Sequence, residues 1–90
     1  MKENILVVDD EQSNRNILAQ ELTHKGFTVE TVGGGKEALA KIESAPPDLV
    51  ILDYMMPDMS GLEVLLDLGQ RGNDRPLILI TAYGSFERAR

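Results

Sequence analysis

Four short runs of the chain are enriched in apolar and β-branched residues, and segments with a helical pattern separate them. The runs occupy residues 5–8, 27–32, 49–52 and 77–80. Short runs with few polar interruptions are typical of strands that a sheet buries on both of its faces. We therefore predict four strands, numbered one to four along the chain.

The segments between these strands carry apolar residues at helical spacing. The recurring positions are Ile17, Leu18 and Leu22 in residues 13–25, Ala38, Leu39 and Ile42 in residues 36–44, and Leu62, Leu65 and Leu66 in residues 62–68. This spacing predicts three helices, and Gly84 and Ser85 could open a fourth. Strands that alternate with helices predict an α/β fold, in which a doubly wound parallel sheet carries helices on both faces.

Composition narrows the functional classes. The 90 residues suffice for one small domain. Their formal net charge of -6 does not favour binding to nucleic acid or to an anionic membrane, although such acidity also serves solubility alone. The chain has no cysteine, no apolar run near the ~20 residues of a membrane span, and no signal-peptide pattern at its start. We expect a cytoplasmic protein without nucleic-acid or membrane contacts.

Three aspartates stand where predicted strands end. Asp9 and Asp10 follow the first strand, and Asp53 follows the third. Ligands of open doubly wound sheets bind beyond the carboxyl ends of the strands, so these side chains would converge if strands one and three are neighbours. The alternative is that each aspartate only caps the next helix or faces solvent.

Converging carboxylates repel one another unless a proton or a cation offsets their charge. Hard oxygen ligands suit Mg²⁺, which keeps several waters and so leaves positions for phosphate oxygens. A carboxylate can also act as a nucleophile and form an aspartyl-phosphate. Thr81, at the end of the fourth strand, offers a hydroxyl to a phosphoryl oxygen. The pattern favours phosphoryl transfer with Mg²⁺.

Three segments resemble the successive motifs of response regulator receiver domains from bacterial two-component systems. They read ILVVDDE, PDLVILDYMMPDMSGLEVL and PLILITAYGS. The middle segment is the most specific, because Pro57 and Gly61 follow Asp53 at the offsets of that family. The resemblance implies a flavodoxin-like fold with four strands in the order 2-1-3-4 and about three and a half helices.

The resemblance also implies a role for each matching residue. Asp53 would be the phosphoacceptor, and a sensor histidine kinase or phosphotransfer protein would be the donor. Asp9, Asp10, Asp53 and the backbone carbonyl of Met55 would bind Mg²⁺, and Thr81 would contact the phosphoryl group as the switch hydroxyl. Such a domain is not an enzyme, beyond weak self-phosphorylation and self-dephosphorylation at Asp53.

The sequence departs from the family's pattern at its end. Receivers normally continue into a fifth strand ending in a lysine and then a fifth helix, and neither is found here. We therefore predict a truncated receiver domain over residues 1–90. An open edge on the fourth strand and apolar surface on the first helix, around Leu18 and Leu22, would favour a homodimer.

Two further functions stay open at this stage. One is a binding or self-assembly module without competent phospho-switching. The other is a Mg²⁺-dependent phosphohydrolase with an aspartate nucleophile, although Met55 stands where such enzymes commonly place a second acid.

Other polar residues are expected to have no function. Residues 33–36 read Gly-Gly-Gly-Lys, but Glu30 and Glu37 stand where a phosphate-binding loop needs glycine and a hydroxyl residue. Asp48, Asp58, Asp67 and Asp74 are interpreted as solvated side chains of loops and surfaces.

Overall fold

The structure is a computed structural model that describes residues 3–53 and 58–72, together with the backbone of residues 77–80. Its elements are β1 (Asn4–Val8), α1 (Gln12–His24), β2 (Thr28–Val32), α2 (Gly35–Ser44), β3 (Leu49–Asp53), α3 (Gly61–Gln70) and β4 (Leu77–Ile80). The four predicted strands and three predicted helices are confirmed, and their bounds differ from the prediction by at most two residues. The possible fourth helix at Gly84 and Ser85 lies outside the described residues.

The four strands form one parallel sheet with the order β2-β1-β3-β4. β1 pairs with β2 from Asn4↔Thr28 to Val8↔Val32, and it pairs with β3 from Ile5↔Leu49 to Val8↔Leu52. β3 pairs with β4 on its other side, up to Asp53↔Ile80. The winding direction therefore reverses between β1 and β3, as the predicted flavodoxin-like order 2-1-3-4 requires.

The central strands are buried on both faces, which explains their unbroken apolar sequence. Successive side chains of a strand point to opposite faces. One face joins Leu6, Val8, Val50 and Leu52 to the buried residues of α2 and α3, namely Ala38, Leu39, Ile42, Val64 and Leu68. The other face holds Ile5, Val7 and Ile51, against which Leu18 and Leu22 of α1 pack while partly buried. Fully burying an aliphatic side chain contributes roughly 1.5–3 kcal/mol.

Several large apolar side chains are exposed on the outer surface of the described helices. α1 has no buried residue, and its Ile17 is 59% exposed. α3 buries Gly61, Val64 and Leu68. The apolar positions from which α3 was predicted differ from the positions that it buries. Leu62, Leu65 and Leu66 are 43%, 40% and 59% exposed. None of the described helices has the length and apolar character that crossing a bilayer requires.

Candidate functional site

Three carboxylates meet at the carboxyl edge of the sheet. Asp53 is the last residue of β3, and Asp9 and Asp10 follow directly after β1. Because β1 and β3 are paired neighbours, with Val8 opposite Leu52, the strand ends bring these side chains together. One carboxylate oxygen from each aspartate lies within 4.8 Å of the other two. The predicted convergence is therefore confirmed.

The electrostatics of this cluster favour a cation. Asp53 is only 8% exposed, whereas Asp10 is exposed to solvent. Two negative charges at such a separation repel by about 3 kcal/mol at an effective dielectric constant near 20. A divalent ion among them would turn this repulsion into attraction. Among the residues that the structure describes, the donors are carboxylate oxygens, so they fit Mg²⁺ better than a metal that prefers sulfur or imidazole.

Two residues predicted to share this site cannot be placed. Met55, whose carbonyl was expected to bind Mg²⁺, and Thr81, expected to contact the phosphoryl group, lie outside the described residues. Their roles stay predictions, as do the roles assigned to the three aspartates.

The loop between β1 and α1 is held by local hydrogen bonds. The backbone N–H of Glu11 donates to Asp9 Oδ1 at 2.9 Å, which is a turn that aspartate commonly makes with its own backbone two residues on. Nη1 of Arg15 donates to the carbonyl oxygen of Asp9 at 2.6 Å. Asp9 therefore has a structural role in the turn, and its carboxylate still reaches the cluster with Asp10 and Asp53.

The turn between β2 and α2 packs closely against neighbouring loops. A side chain at Gly33 would place its Cβ 3.2 Å from Nη1 of Arg15, and one at Gly34 would place it 3.0 Å from Oδ2 of Asp58. A Cβ at Gly35 would lie only 2.3 Å from Cγ of Met59. The atoms nearest to Gly33 and Gly34 are the ends of flexible side chains, so the close approach requires glycine most strongly at position 35.

Asp58 is exposed, as the sequence suggested, but its carboxylate also makes specific hydrogen bonds to the backbone. Its Oδ1 accepts hydrogen bonds from the backbone N–H of Gly35 at 3.0 Å and of Met59 at 2.9 Å, and its Oδ2 accepts one from Lys36 at 3.0 Å. The bonds from Lys36 and Gly35 lower the pKa of this carboxyl, against a smaller opposing effect of burial. Asp58 thus caps the first turn of α2 from the loop between β3 and α3.

The sequence contained only indirect signs of these caps. The backbone partners of Asp58 in α2 are 22 and 23 positions away, so no local pattern reveals them, although Gly34 supplies no side-chain cap for α2. The cap of α3, which the sequence analysis did not assign, does leave a local signal. Ser60 and Glu63 form a capping box there, and its serine-to-glutamate spacing can be read directly from the sequence.

Residues 5–90 match the family model described as the response regulator receiver domain. The response regulator MprA of Mycolicibacterium vanbaalenii is 46% identical over 81 residues, which are 90% of this chain and 35% of MprA. MprA of Mycobacterium ulcerans is 45% identical over 85 residues, 94% of this chain and 37% of that protein. The chain thus spans about a third of the length of these curated relatives.

Solved structures give the same fold. The response regulator TrrA of Thermotoga maritima, in complex with Mg²⁺-BeF, superposes with a TM-score of 0.87 at 47% identity, over 99% of this chain and 76% of TrrA. TrrA in complex with the histidine kinase ThkA gives a TM-score of 0.86 at 46% identity, over 96% of this chain and 73% of TrrA. By its sequence and its strand order, this chain belongs to the family of response regulator receiver domains.

Proposed function

We propose that this chain is a phosphorylation-dependent signalling receiver that accepts a phosphoryl group on Asp53 from a sensor histidine kinase, with Mg²⁺ bound beside it. The observation that carries the proposal is the convergence of Asp9, Asp10 and Asp53, with oxygens of all three within 4.8 Å. Membership of the receiver family supports the signalling role.

Asp53 is the nucleophile in this proposal. One of its carboxylate oxygens attacks the phosphorus of a phosphohistidine, the new O–P bond forms as the N–P bond breaks, and the electron pair of that bond leaves with the imidazole nitrogen. Asp9 and Asp10 would hold the Mg²⁺, together with Asp53 and the carbonyl of Met55. When bound, Mg²⁺ neutralises charge that develops on the transferred group. Thr81 donates its hydroxyl to a phosphoryl oxygen.

The relatives support both the cofactor and the donor. TrrA has been solved with Mg²⁺-BeF and, separately, with the histidine kinase ThkA. This chain shares 47% and 46% of its aligned residues with TrrA in those two structures. A Mg²⁺ site and a kinase partner are therefore the natural expectation here, and the described donor set fits the metal.

Intact-mass spectrometry after incubation with acetyl phosphate tests the proposal. We expect a mass gain of one phosphoryl group that requires Mg²⁺ and disappears in Asp53→Asn. Asp48→Asn is the matched control, because it removes the same charge from a loop at the opposite end of β3. Retention of the mass gain in Asp53→Asn would contradict the assignment. Release of phosphate through many turnovers without accumulation of the phosphorylated chain would instead indicate a phosphohydrolase.

The self-assembly alternative stays a prediction, with two observations in its favour. In the described part of the sheet β4 is the outer strand beside β3, and an outer strand offers unpaired backbone groups to another chain. Ile17 on α1 adds exposed apolar surface. Sedimentation of the 90-residue chain over a range of concentrations tests for self-assembly, since a monomer at all concentrations would exclude the homodimer.

A further inference from the structure

Arg15 contacts the main chain between two members of the acidic cluster. It lies near the start of α1 and is half-buried. Its Nη1 donates a hydrogen bond to the carbonyl oxygen of Asp9 at 2.6 Å. That oxygen belongs to the peptide group that joins Asp9 to Asp10, and each of these residues brings a carboxylate oxygen to the cluster with Asp53. Arg15 therefore holds the peptide from which two of the three carboxylates extend.

Two further hydrogen bonds hold other parts of Asp9. Its backbone N–H donates to the carbonyl oxygen of Val32 at 3.2 Å, and its Oδ1 accepts a bond from the N–H of Glu11 at 2.9 Å. Neither bond is made to the carbonyl that precedes Asp10, and a planar peptide group can still turn about the dihedral angles that flank it. The bond from Arg15 restrains that turn, and a bond from a charged donor is roughly twice as strong as a neutral one.

The side chain of Arg15 is itself confined. The backbone N–H of Arg15 donates to the carbonyl oxygen of Glu11 at 3.1 Å, which is an i→i−4 bond at the start of α1. At the far end of the side chain, Nη1 lies 3.2 Å from the position that a Cβ on Gly33 would occupy. The guanidinium is therefore placed between α1 and the turn that joins β2 to α2. A donor confined in this way loses little further freedom when it binds Asp9.

We infer that Arg15 is a positioning residue for the Mg²⁺ site and acts through the peptide group between Asp9 and Asp10. By fixing the plane of that peptide, Arg15 fixes the direction in which the two carboxylates leave the main chain. Its contact is with a carbonyl oxygen, and the carboxylates stay available to a cation. The inference rests on the proposed function.

Positioning and charge predict opposite effects on the affinity for Mg²⁺. If only the charge of Arg15 mattered, removing it would leave the site more negative, and Mg²⁺ would bind more tightly. If Arg15 only stabilised α1, the folded variant would bind Mg²⁺ as the wild type does. If Arg15 positions the ligands, the folded variant binds Mg²⁺ more weakly. Groups that orient metal ligands typically contribute about 10–100-fold to affinity.

The experiment compares three variants of the 90-residue chain. Arg15→Met removes the charge and the donor, and Arg15→Lys keeps a charge and an N–H donor for the single bond to Asp9. Arg71→Met is the matched control, because Arg71 follows the end of α3 and pairs with the side chains of Asp67 and Glu43. Each ¹⁵N-labelled protein is titrated with MgCl₂ at fixed ionic strength, and amide chemical shifts report both folding and binding.

We expect Arg15→Met to bind Mg²⁺ about tenfold more weakly than the wild type, Arg15→Lys to recover part of that loss, and Arg71→Met to match the wild type. Unchanged or tighter binding in folded Arg15→Met would overturn the positioning role, and so would an equal loss in Arg15→Lys. Should Arg15→Met not fold, Arg15→Ala, which has the stronger helix former, takes its place with the same criteria.

Phosphorylation by acetyl phosphate separates this inference from the proposed function. A wild type that binds Mg²⁺ but gains no phosphoryl group would overturn the proposed function, while the Mg²⁺ affinities would still decide the role of Arg15. A phosphorylated wild type with unchanged affinity in folded Arg15→Met would overturn the positioning role alone. A wild type that does not bind Mg²⁺ would overturn both.

Discussion

Gly35→Ala should destabilise the fold, although alanine is the better helix former. The added Cβ would lie 2.3 Å from Cγ of Met59 and 2.9 Å from both Sδ of Met59 and Cγ2 of Val64. Carbon atoms in contact normally lie about 3.5–4.0 Å apart, so the neighbours must move by roughly 1 Å. Val64 is fully buried and its branched side chain is stiff, hence Met59 has to leave its place against the core.

The expected change in the free energy of unfolding of Gly35→Ala is the balance of two opposing contributions. Overpacking of a well-filled site costs about 1–3 kcal/mol. Replacing glycine by alanine within a helix contributes up to about 1 kcal/mol in the other direction, and less at Gly35 because it is the first residue of α2. The free energy of unfolding should therefore fall by about 1–2 kcal/mol.

Gly69→Ala is the matched control for the same chemical change. Gly69 lies within α3, is exposed, and has no heavy atom within 4 Å of an added Cβ. That variant should be more stable by up to about 1 kcal/mol. Urea denaturation measures both variants, with unchanged slopes indicating that only stability has changed. Shifts of equal sign for Gly35→Ala and Gly69→Ala would refute the packing argument.

Three further predictions concern the core, a helix cap and pH. Ile42→Ala should lower the free energy of unfolding by about 2–5 kcal/mol, because Ile42 is 2% exposed, whereas Ile17→Ala, at a position 59% exposed, should change it by under about 1 kcal/mol in urea denaturation. Ser60→Ala breaks the capping box of α3 and should cost about 1 kcal/mol by the same assay. The pKa of Asp58 is lowered below its ordinary value of 3.8 by bonds from Lys36 and Gly35, so the stability it contributes is present above pH 3.8 and lost as pH falls through the folded-state pKa. The difference between wild type and Asp58→Asn in acid titrations of unfolding should narrow there, and a difference that persists would contradict this reasoning.

The strands and helices could be predicted from the sequence because the apolar patterns that indicate them are local. The apolar run at residues 49–52 predicted β3, which the structure gives as Leu49–Asp53, and the pattern over residues 13–25 predicted α1, found at Gln12–His24. The meeting of Asp9 with Asp53 needed more than local pattern. It depended on β1 lying beside β3, an order that the sequence supplied only through its resemblance to receivers.

The details that sequence alone did not give depend on contacts between distant segments. α3 has two apolar stripes, and only packing on the sheet decides that Val64 and Leu68 are buried while Leu66 is exposed. The hydrogen bonds of Asp58 were not predicted because its partners in α2 are 22 and 23 positions away. Helical periodicity identifies a helix but does not choose between faces that are both apolar.

The position of the phosphoryl group tests the central claim most directly. Borohydride reduction of the phosphorylated chain converts an aspartyl-phosphate to homoserine, and tandem mass spectrometry then locates the altered residue. We expect homoserine at Asp53, the aspartate of the acidic cluster that ends β3, only when Mg²⁺ was present during phosphorylation. Homoserine at Asp9, Asp10 or any other aspartate, with Asp53 unchanged, would contradict the account.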